Sequence, residues 1–309
     1  MTSFRDDVLR GLRQPQKAIP SKYLYDAEGS RLFDQITTLD TYYPTRTERT
    51  ILETNVAAIA DALRPSPVVV EYGSGSSDKT RILLDALHGE ISAYVPIDIS
   101  GEHLHAAADR LRQRYEGMPV LPVVADYTQS FDLPELPPHD HIVVFFPGST
   151  VGNFEPEEAE AFFHGAAAVA GQSPHGGLLI GADQRKPLDV LLPAYDDPDG
   201  ITARFNLNLL ARINRELAGT FRLEDWAHEA RWNETESRIE MHLVSQVAQT
   251  AEVAGERFAF AEGETIHTEI STKYGPDSLA ELAAGAGWIR RDRWTDARGW
   301  FAVERYSLG

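Results

Sequence analysis

The rhythm of apolar and polar positions changes twice along the chain. Five short apolar runs recur in the middle: VVVEYG (Val68–Gly73), AYVPIDI (Ala93–Ile99), VLPVVAD (Val120–Asp126), HIVVFFPG (His141–Gly148) and GLLIGAD (Gly177–Asp183). Between them lie KTRILLDALHG, GEHLHAAADRLRQRY and EPEEAEAFFHGAAAVA, whose apolar residues return at helical spacing. Strands apolar on both faces, alternating with amphipathic helices, predict βαβ units and a parallel sheet. Right-handed crossovers make a doubly wound α/β sheet the natural closure.

Either side of this region the pattern differs. The first sixty residues predict loop and short helix, rich in aromatics, with Gly29 and Pro44. After Asp183 the alternation stops. RKPLDVLLPAYDDPDGI predicts an irregular connection, and TARFNLNLLARINRELAG one helix with a glycine stop. RIEMHLVSQVAQ, ERFAFAEG and ETIHTEISTKY alternate as antiparallel strands do. PDSLAELAAGAG predicts a last helix with Pro276 in its opening turn, and WIRRDRWTD and GWFAVERYS predict two strands returning to the sheet. The expectation is two interleaved domains in 309 residues: 49–183 with 275–309, and an α+β part from 1–48 with 184–274.

Composition narrows the function. Lys plus Arg is 29 against 47 Asp plus Glu, a formal charge of −18, with no long basic run. That disfavours both nucleic acid and anionic membranes as partners. The apolar stretches are too short to span a bilayer as helices. There are no cysteines, which excludes disulfides, thiol catalysis and thiolate metal sites and fits a reducing, cytoplasmic setting. The opening MTSFRDDVLRGLRQPQKAIP lacks the apolar run of a signal peptide. The 10 histidines are scattered, and His103 and His105, at i,i+2 on a helix, do not share a face, so no metal is expected.

The first strand ends in Glu71-Tyr72-Gly73-Ser74-Gly75-Ser76-Ser77. A glycine turn there lets a cofactor lie against bare backbone at a helix start. The spacing is neither a full GxGxxG nor a P-loop. Asp98, at the end of the second strand, can accept the two hydroxyls of a ribose. Asp126 and Tyr127, after the third, offer an acceptor for an adenine amine and a ring to cover it. Taken singly these residues read equally as a turn, a cap and a solvated carboxylate. Three strand ends with matching chemistry carry more.

This combination resembles the class I methyltransferases that use S-adenosylmethionine (SAM), with Ser77 in place of the motif's third glycine. A sulfonium methyl donor reacts without metal or thiol. Longer blocks carry a closer resemblance: SKYLYDAEGSRLFDQITTLDTYYPTRTE, EYGSGSSDKTRILLDAL, FFPGSTVGNF, LLPAYDDPDGITARFNLNLLARINREL and TEISTKY are similar to the histidine Nα-methyltransferase family of ergothioneine biosynthesis, in order and over nearly the whole chain. The resemblance implies three methyl transfers from SAM to the α-amine of L-histidine, giving hercynine, by a monomer whose interleaved part binds substrate.

It also implies roles. Tyr25 and Phe33 belong near the substrate amine, Tyr42 in the substrate pocket, Asn153 on the amino and carboxylate end, and Tyr195 on the carboxylate. Met241 lines the pocket, and Glu269 and Ser271 recognise the imidazole. Gly73, Ser74, Lys79, Asp98, Asp126 and Tyr127 fall at cofactor positions. Tyr25, Tyr42 and Asn153 are the candidate catalytic residues. Tyrosine is a poor general base, with a reference pKa of about 10, so Tyr25 and Tyr42 are assigned to orientation and water to accepting the proton.

Several of these residues have plainer readings. Tyr23 and Tyr43 read as core. Asn153 also reads as a cap for the EPEEAE helix. Period two puts Glu269 and Ser271 on one strand face, which composition alone would leave as a polar, wet face. Competing functions are methylation of another aromatic amino acid, an adenosine-binding regulator without activity, and a dehydrogenase, the last disfavoured by the glycine spacing.

Overall fold

Six residues in a row, Pro67 to Tyr72, are buried, as are His141–Phe146 and Gly177–Asp183. Such strands form only inside a sheet covered on both faces. The computed structural model describes residues 3–74 and 78–309; Gly75, Ser76 and Ser77 of the glycine motif and the side chains of Asp78 and His103 lie outside what is described. Along the chain the elements are α1 (Phe4–Leu12), β1 (Lys17–Ala18), α2 (Ala27–Ile36), α3 (Tyr43–Leu63), β2 (Pro67–Tyr72), α4 (Asp78–Ala86), β3 (Ala93–Asp98), α5 (Gly101–Arg114), β4 (Val123–Val124), β5 (His141–Phe146), α6 (Pro156–Ala170), β6 (Gly177–Asp183), α7 (Leu188–Tyr195), α8 (Ile201–Glu216), β7 (Trp226–Asn233), β8 (Arg238–Ser245), β9 (Gln249–Val253), β10 (Glu256–Phe260), β11 (Thr265–Thr272), α9 (Ser278–Ala284), β12 (Trp288–Thr295) and β13 (Phe301–Leu308).

The chain divides into two units. One comprises the described residues up to Tyr43 with Arg185–Lys273; the other is Pro44–Gln184 with Tyr274–Gly309. The first division thus falls at the start of α3 rather than after residue 48.

The second unit holds a seven-stranded sheet in the order β12-β13-β6-β5-β2-β3-β4. Strands β2 to β6 pair in parallel, and β13 is antiparallel to both neighbours. Alternate residues of β2 enter opposite cores. Val68, Val70 and Tyr72 pack with Phe146, Phe162, Phe163 and Trp288, while Val69 packs with Ile51, Leu83, Phe145 and Phe301. The chain leaves β2 toward β3 and β4, then returns to β5 on the other side. Open α/β sheets bind ligands beyond the carboxyl ends of strands at such a reversal.

Several predicted elements differ from those formed. The first sixty residues contain the 21-residue helix α3. Its apolar residues Ile51, Leu52, Ile59, Ala60 and Leu63 make one buried stripe on an otherwise polar stretch. The VLPVVAD run forms only the two-residue β4 and an isolated Tyr94–Val120 bridge, because Pro122 has no N–H for the ladder. RKPLDVLLPAY contains α7, which buries Leu191, Ala194 and Tyr195 despite an internal Pro193. RIEMHLVSQVAQ is two strands, β8 and β9, with Ser245 Oγ donating to Val247 O where they part (2.8 Å).

The first unit has a four-stranded sheet, β1-β11-β8-β7, and the hairpin β9-β10. β11 and β7 are antiparallel to β8, while β1 joins β11 in parallel, with Lys17 opposite Ile266. β7 was not signalled by its sequence, WAHEARWN, since only Trp226 of its eight residues is fully buried. Helix α8 is tied to the sheet by Asn206, whose Nδ2 contacts His228 Nδ1 (2.9 Å) and donates to His242 O (3.2 Å). Among the described residues no helix is long and apolar enough to cross a membrane.

Candidate active site

In the second unit the expected cofactor residues gather at the carboxyl ends of β2, β3 and β4. Gly73 has φ +69°, a left-handed backbone that favours glycine, and its N–H donates to Ile97 O (2.9 Å). A Cβ there would lie 3.7 Å from the Tyr127 ring, so glycine lets that ring approach the backbone. Tyr127 stacks on Tyr72 with centroids 5.3 Å apart. Burial, then the charges of Asp98 and Asp126, push its hydroxyl pKa far up and keep it protonated. Asp98 Oδ1 accepts the Ser100 N–H (2.9 Å), and Asp126 Oδ1 accepts from Thr128 N (3.0 Å) and Oγ1 (2.6 Å). Each carboxylate is anchored through one oxygen by its own turn. Ser74 is buried at 5% exposure.

Glu71, the acid of the glycine motif, is buried near the carboxyl end of β2. It accepts from Thr80 Oγ1 (2.7 Å) and from the Tyr94 hydroxyl, and burial pushes its carboxyl up to about 7. Lys79 Nζ is paired with Glu48 Oε2 at 2.5 Å.

Glu48 itself is a residue that sequence reasoning missed. Its carboxylate also accepts the Gly148 N–H, so one side chain of α3 holds both Lys79 and the loop after β5. A lone Glu on a polar helix face gives no signal for this.

The loop after β5 carries Asn153. Gly148 and Ser149 are both left-handed (φ +88° and +59°), and Ser149 Oγ accepts the Asp183 N–H at 2.8 Å. A short 3-10 turn, Thr150–Asn153, follows, with Asn153 half-buried at its end. Asn153 is not the cap of α6. That helix starts at Pro156, and Glu158 Oε2 accepts the Glu155 N–H (3.0 Å) in a capping box.

In the first unit the expected substrate residues fall into two linked groups. Tyr25, Phe33, Tyr42 and Tyr195 form an aromatic cluster joined by Phe205. Tyr25 meets Phe33 and Phe205 edge-on at 5.4 Å, and Tyr42 meets Phe33 at 6.1 Å and Tyr195 at 6.2 Å. The YDAEGSRLF block folds as it does for local reasons. Asp26 caps α2 by accepting the Gly29 N–H (2.8 Å), and is held from α8 by Asn208 (2.8 Å) and Arg215 (2.6 Å). A Cβ on Gly29 would lie 1.7 Å from Leu24 O, so only glycine lets the helix start there. Tyr23 and Tyr43 are buried and engaged elsewhere, by Asp7 (2.6 Å) and Lys186 (2.8 Å) respectively.

The second group lies on β11. A register shift between His267 and Glu269 resets the ladder, after which Glu269 pairs with Met241 and Ser271 with Ile239 in regular alternation. Glu269 and Ser271 therefore share a face. Glu269 Oε2 is sealed from solvent with no hydrogen-bond partner. Burial pushes its carboxyl up to about 7, against the lowering charge of Lys273. Ser271 Oγ is 2.8 Å from the Tyr195 hydroxyl, and Lys273 Nζ donates to both, at 2.6 and 2.7 Å. Lys273 was also missed, although it continues the same period-two spacing.

On the same sheet Glu240, His242 and His267 bring three ligand-type atoms within 4.8 Å. Glu240 Oε1, however, accepts from Asn233 and Arg238 (both 2.9 Å), and the two imidazoles stack at 22°. Stacked rings keep their in-plane lone pairs in separate, near-parallel planes, an arrangement poorly suited to meeting at one centre.

A seven-stranded sheet with a single antiparallel strand, and an acid, a glycine turn and two further acids at its parallel strand ends, defines a class I methyltransferase. A sequence profile of the family described as "Histidine-specific methyltransferase, SAM-dependent" matches residues 4–307. The chain belongs to that family and is a SAM-dependent methyltransferase. It is 41% identical over 305 residues to a histidine N-alpha-methyltransferase of Mycobacterium tuberculosis, covering 97% of this chain and 94% of that protein. A histidine N-alpha-methyltransferase of Mycolicibacterium smegmatis is 40% identical over the same shares. The solved structure of the CurJ carbon methyltransferase, 12% identical, matches with a TM-score of 0.50 over 92% of this chain and 60% of that one, a likeness of fold alone.

Proposed function

We propose that this enzyme methylates the α-amine of L-histidine three times with SAM, giving hercynine for ergothioneine biosynthesis. The observation that carries this reading is Glu269: a sealed carboxylate oxygen without a partner, two residues from Ser271 on one strand face. A buried acceptor left unmade costs about 1–3 kcal/mol, and an imidazole N–H supplies the donor it lacks. Ser271 serves the second ring nitrogen. Met241, opposite Glu269 in the ladder, offers apolar contact to the ring.

The remaining assignments follow the chemistry. Gly73, Ser74, Lys79, Asp98, Asp126 and Tyr127 hold SAM, with the two acids anchored through one oxygen each. Asn153 serves the substrate's amino and carboxylate end, and Tyr195 its carboxylate. The attacking nitrogen must be neutral, while a free α-amine has a pKa of about 8. Each transfer breaks the S–CH3 bond and forms N–CH3, releasing S-adenosylhomocysteine. Each also requires the loss of one ammonium proton first, to water. Tyr25 and Tyr42 orient the amine. As methyl groups accumulate, N–H donors vanish and a quaternary cation remains, which suits the aromatic faces of Tyr25, Phe33 and Tyr42.

Incubation with SAM and each amino acid separately, read by mass, tests this. A gain of up to three methyl groups on histidine is expected; transfer to tryptophan or tyrosine but not to histidine overturns it. Glu269→Ala is expected to raise the KM for histidine at least tenfold while leaving SAM binding within twofold, since only the imidazole loses its acceptor.

A further inference from the structure

Glu48 on α3 and Lys79 on α4 form an ion pair that opens on one side. The Glu48 side chain is 1% exposed and that of Lys79 20%, so the end that reaches outward is the cation. A buried carboxylate is costly unless donors answer it. Lys79 Nζ donates to Glu48 Oε2 at 2.5 Å, and the Gly148 N–H is shared by both oxygens at 3.0 and 2.9 Å. A backbone N–H held between the two oxygens aims the carboxylate, and the carboxylate aims the lysine. The lysine head also lies against this loop: a Cβ on Gly148 would be 3.4 Å from Nζ. Lys79 is the second residue of α4, where unpaired backbone N–H groups favour an anion. An ammonium offers three donors, so it can serve Glu48 and a second anion together. Holding a lysine head in one rotamer costs side-chain entropy, and Glu48 meets that cost before a ligand arrives.

We infer that Glu48 is a positioning residue: aimed by the Gly148 N–H, it fixes Lys79 in the pose that takes the carboxylate of SAM. This rests on the reading of Lys79 as a cofactor residue. The sign of the effect separates positioning from charge alone. As a counter-charge only, Glu48 competes with the cofactor for Lys79, and neutralising it tightens binding. As a positioning group it pre-organises the lysine, and neutralising it weakens binding. Glu48→Gln keeps the size and shape of the side chain. It sets an amide NH2, a donor, against either the ammonium or the Gly148 N–H, so both contacts cannot survive.

The test is calorimetric titration of the intact enzyme with S-adenosylhomocysteine and with 5′-methylthioadenosine, which has the same nucleoside and a thioether but no amino-acid end. Lys79→Met is expected to weaken S-adenosylhomocysteine at least about tenfold, the loss of a charged hydrogen bond, and methylthioadenosine by less than about twofold. Glu48→Gln is expected to show the same selective loss. The double variant is expected to be no weaker than Lys79→Met, since both changes act through one contact. Unchanged or tighter S-adenosylhomocysteine in Glu48→Gln, beside a weakened Lys79→Met, overturns the inference and leaves the cofactor reading of Lys79 intact. Additive losses in the double variant overturn it too, and so do equal losses for both compounds in Glu48→Gln, the mark of a merely structural role. Unchanged S-adenosylhomocysteine in Lys79→Met overturns the cofactor reading of that residue, and the inference with it. If Glu48→Gln binds neither compound, Glu48→Asp decides: it keeps the charge but falls one methylene short, so the selective loss is expected there, and wild-type affinity for both compounds overturns the inference.

Discussion

Glu48 and Gly148, 100 residues apart, are joined by one backbone N–H that both carboxylate oxygens accept, at 3.0 and 2.9 Å. The same carboxylate carries the ion pair to Lys79, and Glu48 is only 1% exposed. Its room comes from Gly181: a Cβ there would lie 1.9 Å from Glu48 Oε1 and 3.1 Å from the Phe301 ring. Gly181→Ala is therefore expected to cost about 1–3 kcal/mol through overpacking. Thermal unfolding should show a Tm several degrees lower; an unchanged Tm means the link between Glu48 and the loop is slack.

Asp98 sits at the end of a buried strand, yet its carboxylate makes a single local bond, to Ser100 N (2.9 Å). Asp98→Ala should leave stability within about 0.5 kcal/mol, as surface changes usually do. Its effect belongs on the cofactor. A charge-assisted pair of hydroxyl contacts is worth about 1.5–3 kcal/mol, so the SAM dissociation constant should rise at least tenfold by calorimetry. Equal SAM affinity in the variant would remove Asp98 from the cofactor set.

Glu269 ties stability to pH. Its folded pKa, about 7, stands above the ordinary 4.5, so the native state holds the proton more tightly than the unfolded chain. The stability from that proton is fully present below about pH 4.5 and lost as pH rises through 7. Glu269→Gln is neutral throughout. In the ligand-free protein its stability relative to wild type should grow between pH 4.5 and 8 by something on the order of 3 kcal/mol, at 1.36 kcal/mol per pKa unit. Urea unfolding of both proteins across that range checks this, and parallel curves would count against a sealed carboxylate.

His242 is held neutral by burial first and by the charge of His267 second, which bring its pKa down to about 4. NMR titration of its ring should show no protonation at pH 6. A midpoint at or above 6 contradicts the packing described for it.

Phe33 links Tyr25, Tyr42 and Phe205. Phe33→Ala should slow the last methyl transfer more than the first, since the cationic product gains most from aromatic faces. Product ratios by mass would then shift toward mono- and dimethylhistidine. An unchanged ratio at reduced overall rate assigns the ring to packing alone.

The doubly wound sheet was readable because β2, β5 and β6 are buried at every position, which forces unbroken apolar runs. The elements that escaped notice lack such a constraint. In α3 the stripe from Ile51 to Leu63 is thin among polar residues, and in β7 neither face is fully buried. At the candidate site, single side chains at strand ends carry their chemistry in the sequence. Glu48 and Lys273 do not, because each acts through partners distant in the chain or on another element: Gly148, 100 residues away, and Tyr195, 78 residues away.

The pairing of Lys17 and Ala18 with Ile266 and His267 has a consequence for how the protein is made. The edge strand of that sheet leaves the ribosome well before its partner, β11. At about 5–20 residues per second, some 250 intervening residues take roughly ten to fifty seconds to synthesise. During that interval α1, its buried Val8, Leu9 and Leu12, and the aromatic block after it have no sheet to pack against. Completion of this unit waits on the synthesis of β11, and the earlier segment is exposed to chaperones and proteases for as long as it waits.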